Sequence, residues 1–325
     1  KISLKDRVRD HLDCGKASTI KNIPVKKLLN HSSGLPPSMP IAPYLLYRDQ
    51  YNVGCDSFFC KENTGLYTVP VAENFYLAEN QIDSIWKKVY KTNYRGPRRY
   101  RYSDVNFMLM QRIIEQHLDG GMDKFLAQTF YHPLGLRRNL FKPLEAYSKK
   151  EIIPTQNDKR WRQQQVHGFV HDEAAALLGG VGGNAGLFST AEELAVIFQM
   201  LLNGGHYGGK SFLEENTIKL FTNTYHGNHR GLGFDKPTPG SRSAYSKSAS
   251  PLTFGHTGFT GTCVWADPKH DLIFIFLSNR IYPDVSNRAL FKEHIRERIH
   301  EVVYDALDSY KITFPVLDYK PSQKI

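Results

Sequence analysis

Apolar positions in this chain gather into helically spaced stretches through its middle and two strand-like runs near its end, a pattern that predicts an α+β fold. Pro24–Asn30 reads as a short helix with Pro24 in its first turn, closed by Gly34 and Pro36-Pro37. Residues 36–75 mix Pro, Tyr and Gly without a period and read as a long irregular surface segment. Ile82–Tyr90 has a helical pattern, broken by the basic turn Asn93–Arg99. Asp104–Leu118 carries Val105, Phe107, Met108, Leu109 and Ile113 on nearly every face, as a buried helix does. Gly120-Gly121 ends it, a second short helix runs to about Phe130, and residues 150–170 read as polar and irregular.

Thr190 followed three positions later by Glu193 is a capping-box start, and Leu194, Ile197, Phe198 and Leu201 form the stripe behind it up to Gly204-Gly205. Residues 262–266 and 272–278 read as two strands joined by the turn Pro268–Asp271. A terminal helix over about 285–307 puts Phe291, Ile295, Ile299, Val302 and Ala306 on one face. No repeat interrupts the series, so residues 1–310 read as one domain and 311–325 as a tail.

Hydrophobic residues at 41% and charged residues at 23% argue against disorder, and no apolar run reaches the ~20 residues that span a bilayer. A net charge of +10 favours acidic partners or a polyanionic surface without bearing on the fold. Four cysteines are too few for a disulfide scaffold: Cys55 and Cys60 are spaced for one local bridge, and Cys263 reads as a buried small hydrophobe. The chain opens Lys1-Ile2-Ser3-Leu4, with neither an initiator Met nor a signal peptide, and reads as an excised piece.

Two short motifs carry candidate chemistry. Acyl transfer by a serine needs a base for the hydroxyl and N–H donors for the oxyanion. In Gly255-His256-Thr257-Gly258-Phe259, Thr257 offers a hydroxyl, Gly258 allows close approach, and the Phe259 N–H is placed to serve as a donor. Tyr102-Ser103-Asp104 stands just before the buried helix; Tyr102 is a general base if Arg99 or Arg101 depresses its pKa, and otherwise the motif is an ordinary capped helix start.

These motifs belong to an ordered series: Leu28-Leu29-Asn30-His31-Ser32-Ser33-Gly34-Leu35, Tyr102-Ser103-Asp104, His132-Pro133-Leu134-Gly135-Leu136, Gly186-Leu187-Phe188-Ser189-Thr190 and Gly255-His256-Thr257-Gly258. The series, spread over about Lys1–Leu307, resembles the class C branch of the serine β-lactamase family, with its penicillin-binding proteins, D-Ala-D-Ala carboxypeptidases and esterases. It is most similar to the modules that Bacteroidetes-type bacteria fuse to a family-three glycoside hydrolase. The resemblance implies a β-lactamase/transpeptidase-like fold, no cofactor and no bound metal. It also implies a periplasmic or cell-envelope location and a cell-wall-derived peptide or small-molecule substrate, with no nucleic-acid partner.

By the same resemblance Tyr102 is the base of a Tyr-x-Asn motif whose last position holds Asp104, and His256, Thr257 and Gly258 replace Lys-Thr-Gly, with Phe259 donating its N–H. The histidine holds a carboxylate less firmly than lysine, and Asp104 adds a negative charge; both favour a peptidase or esterase over efficient β-lactam turnover. The Ser-x-x-Lys nucleophile of the family is missing from its place. Ser18-Thr19-Ile20-Lys21 and Ser84-Ile85-Trp86-Lys87 match by chance, and the nucleophile is expected upstream of the chain. The alternative is a catalytically inactive module that binds cell-wall peptide.

Three other features have blander readings. His167 and His171, four apart, suit zinc only on a helix, and Gly168 argues for a loop. The glycine-rich run 179–186 lacks the Gly-Lys-Ser/Thr ending of a phosphate cradle and reads as a packed loop beneath the cleft. Basic and tyrosine residues interleave from Lys87 to Tyr102, a pattern open to single-stranded nucleic acid but more typical of a solvated loop.

Overall fold

A computed structural model describes residues 1–45, 55–92, 94, 96–225, 228–238 and 244–310. The tail from 311, Asn93 and Arg95 of the basic turn, and residues 46–54 lie outside these. The fold mixes helices with small antiparallel sheets, as the α+β reading expected.

Pro24 sits at the N-cap of α1 (Val25–Leu29), one place ahead of the first turn. After α2 (Ala42–Leu45) come β1 (Phe59–Cys60), β2 (Tyr67–Ala72) and β3 (Phe75–Ala78), paired in the order β1-β3-β2. The irregular reading of 36–75 is therefore corrected over this stretch. Two register shifts and Pro70 break the alternation of β2, and an edge strand tolerates both. Cys55 and Cys60 form a disulfide beside β1.

The helical half continues with α3 (Gln81–Tyr90), α4 (Asp104–Glu115) and α5 (Met122–Leu126). Val105, Met108, Leu109 and Ile113 of α4 are wholly buried in the main core, which also takes in α1, α3 and the first sheet. β4 (Pro154–Asp158) and β5 (Gln164–His167) then form a hairpin where no strand was expected. Apart from Val166 its buried positions are the polar Thr155, Gln156 and Asp158 (Thr155 Oγ1 donates to the Phe169 carbonyl at 2.8 Å), so no apolar alternation marks it.

Next come α6 (Glu173–Leu177), α7 (Ala191–Leu202), the small hairpin β6 (His206–Tyr207) and β7 (Lys210–Ser211), and α8 (Glu215–Thr222). Thr190 caps α7 as expected, but Glu193 turns away to accept the Arg137 and Arg138 N–H groups. β8 (Phe254–Thr257), β9 (Cys263–Asp267) and β10 (Leu272–Phe276) form the second sheet, in the order β10-β9-β8. Cys263 is buried under it beside Trp265 and Phe274.

The terminal helix is two elements, α9 (Ala289–Lys292) and α10 (Ile295–Tyr310), separated by His294 at φ 49°. Its expected apolar face does not point inward. Val302 is 64% exposed and Ile299 is exposed as well, while Arg296, His300 and Tyr304 are buried. The sheet draws these polar groups in: His300 stacks on Phe274 at 4.1 Å, Arg296 donates to the Thr262 carbonyl, and the Tyr304 hydroxyl donates to Asp267 at 2.7 Å.

Asp267 is a buried junction. Its burial alone would raise the carboxyl pKa, but the Ser250 hydroxyl and N–H, Tyr304 and His270 overcome that and hold it far below 3.8. A carboxylate with a depressed folded-state pKa stabilises the fold above its unfolded value and loses that contribution as the pH falls. Thermal melts should therefore show a loss of stability below about pH 4 that is shallower in Asp267→Asn. Equal acid sensitivity in both proteins would refute this role.

Candidate active site

Tyr102 and His256 are brought side by side from the start of α4 and from β8. Ser103 has extended backbone before α4 (φ −156°), and its hydroxyl donates to the Pro36 carbonyl at 2.5 Å instead of capping the helix. This holds Tyr102 just off the helix start. His256 lies on β8 opposite Val264 of β9. The two rings stand 6.3 Å apart, centre to centre, at 49°.

Arg230 packs beside both rings. Its Nη2 donates to His256 Nε2 at 2.8 Å, its Nη1 pairs with Asp235, and its guanidinium lies 5.8 Å from the Tyr102 ring. Asp235 in turn exchanges backbone hydrogen bonds with Gly255, extending the ladder beyond β8. A guanidinium has no lone pair to offer, so His256 Nε2 is the acceptor and the proton sits on Nδ1, which donates to the Thr257 carbonyl at 2.8 Å. Burial holds the imidazole below its ordinary range against the pull of Asp235, and His256 is neutral at pH 7. Arg230 is only 1% exposed, so its charge reaches the cleft as a field across His256 rather than by direct contact.

The tyrosine is not activated as the sequence suggested. Tyr102 keeps 41% of its surface exposed, but burial of the rest, then Asp104, pushes the phenol up to about 12, and Arg230 opposes this without prevailing. The expectation that Arg99 or Arg101 depresses this pKa is corrected: the cation acting on Tyr102 is Arg230, and Arg101 donates to the Gly34 carbonyl. Arg98 and Arg101 also give their backbone N–H groups to Ser32 and His31, which builds part of the basic stretch into the protein. Asp104 is raised to about 6 by burial and by Asp172, which caps α6 and accepts from Asn184 Nδ2 at 3.1 Å.

Phe259 stands two residues beyond β8. Its ring, 59% exposed, lies between the stacked His171 imidazole at 4.8 Å and the Arg280 guanidinium at 4.6 Å, and its carbonyl accepts from Arg280 Nε at 3.0 Å. Gly258 donates its N–H to the Thr262 carbonyl at 2.8 Å, and a side chain there would meet the Thr262 hydroxyl, so the turn itself requires glycine. The run 179–186 is a packed loop: a methyl at Gly183 would run into the Phe107 carbonyl of α4.

His167 and His171 do not converge. His167 Nε2 faces the Ile152 carbonyl at 2.6 Å, and the described residues contain no group of three metal-ligating side chains. The Ser-x-x-Lys string at Ser18 is tied to backbone carbonyls. Ser18 donates to the Tyr90 carbonyl at 2.6 Å and Lys21 to the Lys16 carbonyl, while Ser84 lies within α3. Sequence reasoning missed Arg230 and Asp235. The glycine-punctuated stretch Gly231-Leu232-Gly233-Phe234 was the available signal that the neighbouring backbone is held against something.

A tyrosine before a buried helix, facing His-Thr-Gly on the edge strand of an antiparallel sheet, is an arrangement the β-lactamase family motifs lead one to expect. The sequence model of the Beta-lactamase family matches residues 1–295, and the chain belongs to that family. Proteins of Escherichia coli K12 and Salmonella gallinarum, provisionally named D-alanyl-D-alanine carboxypeptidases, are each 34% identical over 212 residues, covering 60% of this chain and 48% of theirs. The chain thus spans about half the length of the curated relatives it matches. Among solved structures, a penicillin-binding protein homologue of Caulobacter crescentus aligns with a TM-score of 0.57 at 16% identity, covering 94% of this chain and 77% of that one. A D-stereospecific amidohydrolase of Streptomyces aligns at 0.56 with 18% identity, covering 91% and 79%. Likeness at this identity establishes the fold.

Proposed function

We propose that this chain supplies the base and the substrate-holding strand of a serine hydrolase acting through an acyl-enzyme on D-amino-acid peptides, peptidoglycan fragments or esters. The observation that carries this reading is Tyr102 facing His256 at 6.3 Å, with Asp104 two residues beyond the tyrosine. In this reading the serine is supplied from outside these 325 residues, as the order of the family's motifs implies.

In the proposed reaction the serine hydroxyl passes its proton to the Tyr102 phenolate as it attacks the substrate carbonyl. The Phe259 N–H stabilises the oxyanion, and Tyr102 returns the proton to the leaving group; water then repeats the cycle on the acyl-enzyme. A phenol near 12 is protonated at neutral pH, so the base needs a second cation besides Arg230. The lysine of an incoming Ser-x-x-Lys segment would supply it. Thr257 offers its hydroxyl to a substrate carboxylate within the positive field of Arg230.

The names of the carboxypeptidase relatives support a peptide substrate for this chain. The Cys55–Cys60 disulfide supports an oxidising compartment and hence the cell envelope. No helix of the described residues is long and apolar enough to cross a membrane. Covalent linkage to a glycoside hydrolase rests on the motif series alone. The high phenol pKa favours a second reading, a module that holds cell-wall peptide without turning it over.

Mass spectrometry separates the two. After penicillin or fluorophosphonate treatment, the chain with its upstream sequence restored should carry one adduct, on a serine three residues before a lysine. The 325-residue chain alone should carry none at Ser18 or Ser84. An adduct on either of those overturns the external origin of the serine, and none in the extended chain overturns the hydrolase reading.

A further inference from the structure

We propose that His31 is a positioning residue of this site, its neutral imidazole forming the floor that sets the Tyr102 ring toward His256 and keeps water from reaching it from below. The inference rests on the reading of Tyr102 as the base, yet it arises from a segment for which that reading has no use.

Three contacts converge on the tyrosine. The His31 carbonyl accepts the Arg101 N–H at 2.8 Å, and its Nδ1 accepts the Ser103 N–H at 3.1 Å, so the residues on both sides of Tyr102 are tied to this one side chain and its backbone. The imidazole then lies under the phenol ring, stacked at 4.2 Å and 24°. Asn106 Nδ2, one turn into α4, donates to the same Nδ1 at 3.0 Å, while its Oδ1 accepts from Ser33 Oγ at 2.6 Å. His31 has no exposed surface and a positive φ of 53°, a conformation histidine and asparagine adopt more readily than bulky residues.

The hydrogen bonds also fix the chemical state of this floor. With Nδ1 accepting two donors, the proton belongs on Nε2, which has no partner in its buried position. Protonating the ring would sacrifice both acceptor bonds and set a second cation beside Arg230. Burial first, then Arg230, holds its pKa at about 3. His31 therefore stays neutral over the whole working range, and Tyr102 takes its charge environment from Tyr100, Asp104, Arg230, Asp235 and His256 on the cleft side.

A residue that merely braces residues 101–106 differs from a floor in a measurable way. His31→Asn keeps an acceptor near the Nδ1 position and tolerates positive φ, but removes the ring. In the 325-residue chain labelled with [13Cζ]tyrosine, the Tyr102 signal is assigned by its loss in Y102F and followed against pH. In folded H31N its ionisation midpoint should fall by about one pH unit, because water now reaches the ring from beneath. A folded H31N with an unchanged midpoint overturns the proposal.

If H31N does not fold, H31F decides, since it keeps the ring and loses the acceptor. A wild-type midpoint in H31F supports the floor, and a shifted one overturns it. Neither titration needs substrate or nucleophile, so a failure of the hydrolase reading shows up separately, in the adduct experiment.

Discussion

Tyr102→Phe lowers serine acylation by about 10²- to 10⁴-fold, the range that loss of a positioned general base produces. The substitution deletes one hydroxyl and keeps the ring, so the stack on His31 at 4.2 Å and the face toward His256 survive. Thermal stability should be unchanged, which separates lost chemistry from lost structure. The check is the rate of fluorophosphonate labelling in the protein that carries its upstream serine. Equal rates for Y102F and wild type would remove Tyr102 from the mechanism.

The second large effect concerns stability. Asp158 and Arg162 form a buried ion pair, with Arg162 Nε donating to Asp158 at 3.0 Å and side-chain exposures of 7% and 0%. The carboxylate also accepts the backbone N–H groups of Arg160, Trp161 and Arg162, and the guanidinium donates to the carbonyls of Val170 and His171. Asp158→Ala strands a buried guanidinium, and breaking such a pair costs about 3–5 kcal/mol. The double variant Asp158→Ala/Arg162→Met removes both charges and should recover much of that loss in urea unfolding. A single variant within about 1 kcal/mol of wild type would show that water already solvates the pair. The same network anchors His171 and through it the stack on Phe259, so Asp158→Ala should also loosen that stack.

The elements legible in the sequence were those whose burial is apolar and periodic. α4 follows from the wholly buried Val105, Met108 and Leu109, and the β9–β10 hairpin from two apolar runs either side of the turn Pro268–Asp271, of which β9 is buried throughout. Where polar groups are buried against specific partners, the period vanished. β4 hides Thr155 and Asp158 behind hydrogen bonds, and α10 turns Arg296, His300 and Tyr304 inward. The site divided the same way. Tyr102 and His256 stood in recognisable strings, but Arg230, 26 residues before His256, gains its role only from a ladder contact between Asp235 and Gly255. Charge environment was the least legible part: the arginines adjacent in sequence to Tyr102 are not the ones that act on it.

The contact between Asp235 and Gly255 also bears on how this protein meets copies of itself. Unpaired strand edges template association between molecules, and covering an edge is a common protection. Here Asp235 occupies the outer side of β8 at Gly255, and what remains beyond it is too short to seed an intermolecular ribbon. Among the described residues the opposite margin of that sheet is β10, Leu272-Ile273-Phe274-Ile275-Phe276, a five-residue apolar run without charge or proline. Among the described residues, association through this sheet would therefore run along β10 rather than β8.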